Sequence, residues 1–264
     1  MKNLVLILLF ATTLCGAQNL DQIRAKYQAR KPHLDSMSQF PSRPYQDLIV
    51  MTQDSIKIHA WHIKNPEADQ TLILVHGFNM NKSHMLSRAE FLYTQGYSIV
   101  LMDLRARGLS GGTRATTGAA NGLDVLAVYK ALEDRGEIHL YGFSHGARAV
   151  SFGAALIGNP KQRLFLEGIP YQLAEGFKRQ NGYAMPMIPQ ETELDKALEQ
   201  NKANQTLLLI GDSDPAITPE EARKLIKYSE HPDSLLMVFP EQGHHVLSKN
   251  NTYLNEISPY LISK

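Results

Sequence analysis

A serine stands midway between two glycines at Gly142-Phe143-Ser144-His145-Gly146. The residues before it, Ile138-His139-Leu140-Tyr141, read as a short strand. Those after it, from Ala147-Arg148-Ala149-Val150 to Ala154-Ala155-Leu156, read as a helix whose small residues allow close packing. A chain that passes from strand to helix so abruptly must turn sharply, and side chains at the flanking positions would collide with neighbouring backbone. Glycine removes that collision. The turn lifts the Ser144 hydroxyl above the sheet edge, within reach of a base. A hydroxyl is a weak nucleophile until a base takes its proton during attack. The chemistry to look for is therefore nucleophilic catalysis, which needs a base, a carboxylate to orient it, and donors for a developing oxyanion.

Four other apolar runs end in residues of the right types. Thr71 to Val75 is followed by His76-Gly77-Phe78-Asn79, and Ser98 to Met102 by Asp103-Leu104-Arg105-Ala106-Arg107-Gly108-Leu109-Ser110. Thr206 to Ile210 leads into Gly211-Asp212-Ser213-Asp214-Pro215, and Leu235 to Phe239 into Pro240-Glu241-Gln242-Gly243-His244-His245. In open α/β sheets, sites form beyond the carboxyl ends of the strands. His244, directly after Gly243, can take the serine proton; its neighbour His245 cannot point the same way. The imidazole needs a carboxylate on its other nitrogen to fix tautomer and orientation.

Asp214 and Asp212 compete for that role. Thr218-Pro219-Glu220-Glu221 is a capping box with proline at the first helical position, so a helix starts there. Asp214 then lies in the loop just past the strand, which favours it, and Asp212 reads as a residue bonded to nearby loop backbone. A metal site built from His76, His244 and His245 is the rival. The chain lacks the paired i, i+4 histidines on one helix common in zinc hydrolases, so no metal and no cofactor are expected. His76 reads as a structural residue that hydrogen-bonds its loop, and Gly77 as a point of close approach.

These parts need a scaffold. Leu48-Ile49-Val50-Met51 and Ile56-Lys57-Ile58-His59-Ala60-Trp61 flank Gln53-Asp54-Ser55, a hairpin pattern. Beyond them, apolar strands alternate with helical segments, one marked by Met85, Ala89 and Leu92, another by Leu123, Leu126, Ala127 and Lys130. Continuous apolar strands separated by helices predict an α/β fold, a mostly parallel central sheet covered on both faces. Residues 18–264 read as one domain without repeats, and residues 18 to about 45 as a surface helix and an extended approach to it.

From about Leu48 to the C-terminus the chain resembles the α/β-hydrolase superfamily, and within it the branch of small serine esterases and serine-aminopeptidase-like hydrolases. The resemblance rests on His76-Gly77-Phe78, the Asp103 to Ser110 loop, the Ser144 turn, Asp214 and Gly243-His244. It implies a nucleophile elbow at Ser144 and a triad in the chain order Ser144, Asp214, His244, with an oxyanion hole from the backbone N–H groups of His145 and Phe78. A cap between the sixth and seventh strands, about residues 168–204, is implied too. Within it Tyr183-Ala184-Met185-Pro186-Met187-Ile188-Pro189 suggests an apolar lip, and a connecting segment without substrate contact is the alternative.

The implied activity is a serine hydrolase working through a covalent acyl-enzyme. A carboxylic-ester hydrolase on small to moderate acyl substrates comes first, since the cap leaves no room for a large lipase lid. An aminopeptidase, thioesterase or acyltransferase would keep the same residues, and a non-catalytic binding homologue usually loses one of the triad. Haloalkane dehalogenases and epoxide hydrolases place aspartate at the elbow, which Ser144 argues against. Two departures from the family pattern stand out. Ala106-Arg107 occupies the place where many members have Gly-His, a change expected to affect loop packing more than chemistry. Pro219 also lies one residue further from Asp214 than is common.

The chain has 264 residues, 43% of them hydrophobic, enough for a sizeable core, and its formal net charge is +1. That balance gives no electrostatic reason to expect nucleic acid or an acidic partner. Met1-Lys2-Asn3 followed by Leu4 to Phe10 has the form of a secretory signal peptide, too short for a membrane span. Cleavage after Ala17 would leave Gln18 at the new N-terminus and give an exported protein, periplasmic or secreted, with no membrane span. The only cysteine, Cys15, lies within the leader. With Leu14 and Thr12 before it, Cys15 fits a lipidation site poorly, so lipidation is the lesser alternative. The mature chain would have no cysteine, which excludes a thiolate nucleophile or metal ligand. The expected partner is a small-molecule acyl substrate; the sequence leaves the oligomeric state open.

Overall fold

The strands that follow the hairpin are mostly apolar, with polar residues chiefly near their ends, and the structure explains why. The computed structural model describes residues 40–132, 136–182, 193–229, 231–246 and 251–261, with backbone alone for 251–254. The leader with Cys15, residues 18–39 and the 183–189 lip lie outside the described residues. Eight strands form one sheet: β1 (Gln46–Met51), β2 (Lys57–Ile63), β3 (Gln70–Val75), β4 (Ser98–Met102), β5 (Glu137–Phe143), β6 (Arg163–Glu167), β7 (Gln205–Gly211) and β8 (Leu235–Phe239). Their spatial order is β1-β2-β4-β3-β5-β6-β7-β8. The β1–β2 and β2–β4 pairings are antiparallel and the other five parallel.

Among the described residues, seven helices accompany the strands: α1 (Leu86–Thr94), α2 (Ala119–Lys130), α3 (His145–Ile157), α4 (Leu173–Asn181), α5 (Glu193–Gln200), α6 (Pro219–Leu225) and α7 (Asn251–Leu261). Residues of α2, α3, α5 and α6, such as Val125, Val150, Leu198 and Leu225, fill the core on one face of the sheet. Ala89 and Leu92 of α1 and Ile257 and Leu261 of α7 fill the other. Interior strands are thus buried on both sides, and β4 has no residue left exposed. The edge strand β1 instead alternates, with Asp47, Ile49 and Met51 exposed.

Two details bear on the site. The α2–α3 contact is close because glycines face it. A Cβ on Gly122 would lie 2.8 Å from the Phe152 Cβ, and one on Gly153 2.6 Å from Val125. This seats α3, the helix that starts at the central turn, tightly against α2. On the opposite face, Arg163 donates to the carbonyls of Tyr260 and Leu261, satisfying the end of α7 with a positive charge. No described helix is long and apolar enough to cross a membrane.

Candidate active site

Ser144 occupies the one-residue turn between β5 and α3, with φ 54° and ψ −118°. A non-glycine residue there carries strain of about 1–3 kcal/mol, held in place only by strong surroundings. Those surroundings are visible. The Ser144 N–H donates to the Glu167 carbonyl on β6 at 2.8 Å, and Ala147 N–H donates to the Ser144 carbonyl at 2.9 Å. A Cβ on Gly142 would approach Ala147 Cα to 2.4 Å, and one on Gly146 would lie 2.2 Å from the Val75 carbonyl oxygen. Both flanking glycines are therefore required by backbone contact.

His244 meets Ser144 from the loop after β8. Its Nε2 lies 2.8 Å from Ser144 Oγ, and its Nδ1 lies 2.9 Å from each carboxylate oxygen of Asp214. A carboxylate only accepts, so the proton sits on Nδ1 and the bare Nε2 faces the serine hydroxyl. The Asp214 carboxylate is fully buried, and its Oδ1 also accepts from the Ala216 N–H at 2.7 Å. The capping box reads as expected: Thr218 Oγ1 accepts from the Glu221 N–H, and Glu221 from the Thr218 N–H.

Asp212 is exposed, with its carboxylate accepting from Ser213 Oγ. The acid and histidine loops are interlocked. Asp212 N–H donates to the Phe239 carbonyl and Ser213 N–H to the Gln242 carbonyl. Gly211 passes so close that a Cβ would lie 2.1 Å from the Gln242 carbonyl oxygen. Gly168, at φ +58°, backs the pair, its Cβ position 3.1 Å from His244 Nδ1 and 3.2 Å from Asp214 Oδ2.

Behind these groups lies a network that sequence reasoning missed. Arg88 on α1 donates to both Glu167 carboxylate oxygens at 2.6 and 2.7 Å, and the Tyr141 hydroxyl donates to the same carboxylate at 2.5 Å. All three are buried. The Arg88 guanidinium also lies 4.5 Å from the centre of the Phe143 ring, against which the rings of His244 and His245 pack at 5.1 and 4.9 Å. No spacing rule announced this link. The three residues come from α1, β5 and β6 and meet only through the parallel sheet.

The loop after β3 and the loop after β4 lock together. His76, wholly buried, donates from Nδ1 to the Gly77 carbonyl at 2.8 Å and accepts at Nε2 from the Leu104 N–H at 3.2 Å. Both ring nitrogens are thus engaged by backbone, apart from His244 and His245. Burial pushes the His76 pKa down to about 4, so the ring is neutral. Asp103, also buried, accepts from the Lys82 N–H and Nζ and from the Leu109 N–H. A Cβ on Gly108 would sit 2.1 Å from that carboxylate, which requires glycine there.

Arg107 does more than pack its own loop. Its Nε donates to the Phe78 carbonyl at 2.8 Å, which ties it to one of the two residues expected to supply oxyanion donors. Phe78 and His145, the two expected donors, are neighbours, with ring centres 5.4 Å apart at a near-perpendicular angle. Burial, reinforced by the Arg148 and Arg107 charges, pushes the His145 pKa down to about 3, leaving its ring neutral.

Comparison with known proteins agrees with this architecture. The family profile of TAP-like proteins matches residues 178–263. An uncharacterized membrane protein of Saccharomyces cerevisiae is 24% identical over 233 residues, which cover 84% of this chain and 81% of the yeast protein. Among solved structures, the Pyrococcus furiosus esterase Pf2001 superposes with a TM-score of 0.71 at 24% identity, covering 87% of this chain and 93% of the esterase. XC6422 of Xanthomonas campestris, described as an α/β serine hydrolase without lid, superposes with a TM-score of 0.58 at 18% identity, covering 84% and 93% of the two chains. The chain has the α/β-hydrolase fold.

Proposed function

We propose that this chain is a serine hydrolase that cleaves carboxylic esters of small to moderate acyl groups, with Ser144 as nucleophile, His244 as base and Asp214 as the orienting acid. The observation that carries the reading is the unbroken hydrogen-bonded line from the Asp214 carboxylate through His244 to Ser144 Oγ. Each step follows from it. His244 Nε2 takes the hydroxyl proton as Ser144 Oγ attacks the ester carbonyl, and Asp214 stabilises the imidazolium that forms. The carbonyl oxygen becomes an oxyanion that accepts from the N–H groups of Phe78 and His145. As the tetrahedral species collapses, His244 returns its proton to the leaving alcohol, and an acyl-enzyme remains on Ser144. Water, deprotonated by His244, then attacks the acyl group and frees the acid and the serine.

Several of the structurally similar proteins are esterases by name, which favours esters among the possible acyl substrates. Amides and thioesters, or transfer to another acceptor, would use the same groups. A fluorophosphonate probe should label Ser144 and lose its target in Ser144→Ala, and p-nitrophenyl esters should turn over faster than aminoacyl anilides. An unlabelled but folded protein would favour a non-catalytic binding role, and faster anilide turnover would move the substrate class to peptides. We also propose export through the leader at residues 1–17. Mass spectrometry of the protein from its host should find Gln18 at the N-terminus; an intact Met1 or a lipid on Cys15 would refute export by that cleavage.

A further inference from the structure

An oxyanion-hole donor lowers a barrier only if it already points at the place where charge will develop. A donor on a loop needs something to fix it, and the Phe78 N–H is on a loop. Two peptide planes flank the Phe78 Cα. The first, between Gly77 and Phe78, carries the Phe78 N–H, and its carbonyl accepts from His76 Nδ1 and from the Met80 N–H at 3.3 Å. The second carries the Phe78 carbonyl, which accepts from Arg107 Nε. With both planes held, neither backbone torsion of Phe78 is free to swing.

Arg107 also sets the side chain. Its guanidinium lies 5.1 Å from the centre of the Phe78 ring, on which the His145 ring abuts edgewise. Arg107 is itself buried and well anchored. Its Nη1 donates to the Ala106 carbonyl, its N–H to the Leu104 carbonyl, and its own carbonyl accepts from the Ser110 N–H. Ala106 adopts φ +55° to make this turn. A planar guanidinium can hold the Phe78 and Ala106 carbonyls at once while lying on an aromatic ring; an ammonium cannot match that fork.

We infer that Arg107 is a positioning residue for the oxyanion hole, holding the peptide plane of the Phe78 carbonyl from behind so that the adjoining plane, which carries the Phe78 N–H, is preset for the transition state. This rests on the serine-hydrolase reading for its catalytic consequence, but the grip on the loop can be read without activity. The test compares wild type with Arg107→Lys and Arg107→Met, after thermal melts establish that each is folded. Hydrogen–deuterium exchange across residues 76–80 should rise in both variants.

On a p-nitrophenyl ester, kcat should fall about 10- to 100-fold, below the full loss of an oxyanion donor, while KM changes less than about threefold, the mark of an interaction realised in the transition state. Affinity for a trifluoromethyl ketone should fall with kcat/KM. Added guanidinium ion should partly restore Arg107→Met. Unchanged exchange at residues 76–80 overturns the inference whatever the activity, as does a variant whose KM rises while kcat holds. An inactive wild type whose loop still loosens in the variants would sink the hydrolase reading, and the oxyanion role with it, and leave only the grip of Arg107 on the Phe78 loop.

Discussion

Acidification from pH 8 to pH 5 should destabilise this protein through buried histidines held neutral, and His139, the one remote from Ser144, offers the cleanest measure. It lies on β5 five residues before Ser144, about 16 Å away along the strand. Its Nδ1 accepts from the Arg163 N–H at 3.2 Å, its Nε2 lies 3.3 Å from Arg163 Nη2, and the Tyr97 ring packs edgewise on it. Burial and the Arg163 charge push its pKa down to about 3. An imidazolium there would face two donors and a cation. In the unfolded chain the ring titrates near 6.5, so below that pH the unfolded state binds a proton that the folded state refuses. Stability is then complete above about pH 6.5 and declines as pH falls toward the folded value.

At pH 5 the loss is about 2 kcal/mol for such a group, set by the unfolded pKa and almost independent of where below 5 the folded one lies. His76 and His145, with pKa values of about 4 and 3, act with the same sign. Urea unfolding at a series of pH values would read the slope. His139→Gln, which keeps a polar partner without a titration, should reduce the difference between pH 8 and pH 5 by about 2 kcal/mol, even if it lowers stability throughout. A variant with the wild-type slope, or a wild type equally stable at both pH values, would refute the reasoning.

Two further outcomes follow from the site. Asp214→Asn should lower kcat about 10⁴-fold by removing control of the His244 tautomer, whereas Asp212→Asn, whose exposed carboxylate accepts from the neighbouring Ser213 hydroxyl, should stay within a few-fold in an ester assay. Glu167→Gln breaks a buried bidentate pair and should cost about 3–5 kcal/mol in thermal or denaturant unfolding. Replacing both members, Arg88→Met with Glu167→Leu, should cost less than the single break, because no buried charge is then left without its partner.

The sequence carried most of this fold because its interior strands are buried on both faces and so read as largely apolar runs, and because several end in residues of unusual type. Ser144, Asp214 and His244 were legible for the same reason, since local rules place them: glycines at a close backbone approach, a capping box that dates the start of α6, a glycine before the histidine. What stayed hidden depends on residues brought together by the sheet itself.

Arg88, Tyr141 and Glu167 lie up to 79 positions apart and look like ordinary polar residues until β5 and β6 pair. The face of α2 was hidden for a related reason. Leu123, Leu126, Ala127 and Lys130 mark the helix, but Gly122 and Val125 make its tightest contact, because closeness to α3 and not hydrophobicity decides which side turns inward. Arg107 is the instructive case. As a departure from a family pattern it reads as a packing change, and the sequence offers no partner for it. The partner is a backbone carbonyl, and carbonyls have no signature in a sequence. Its meaning depends on the 29 positions between Phe78 and Arg107 folding through β4 so that two loops at neighbouring strand ends meet. Residues whose partners are backbone groups are the ones a reading of side-chain types alone will pass over, and in this fold one of them holds the loop of Phe78 beside His145.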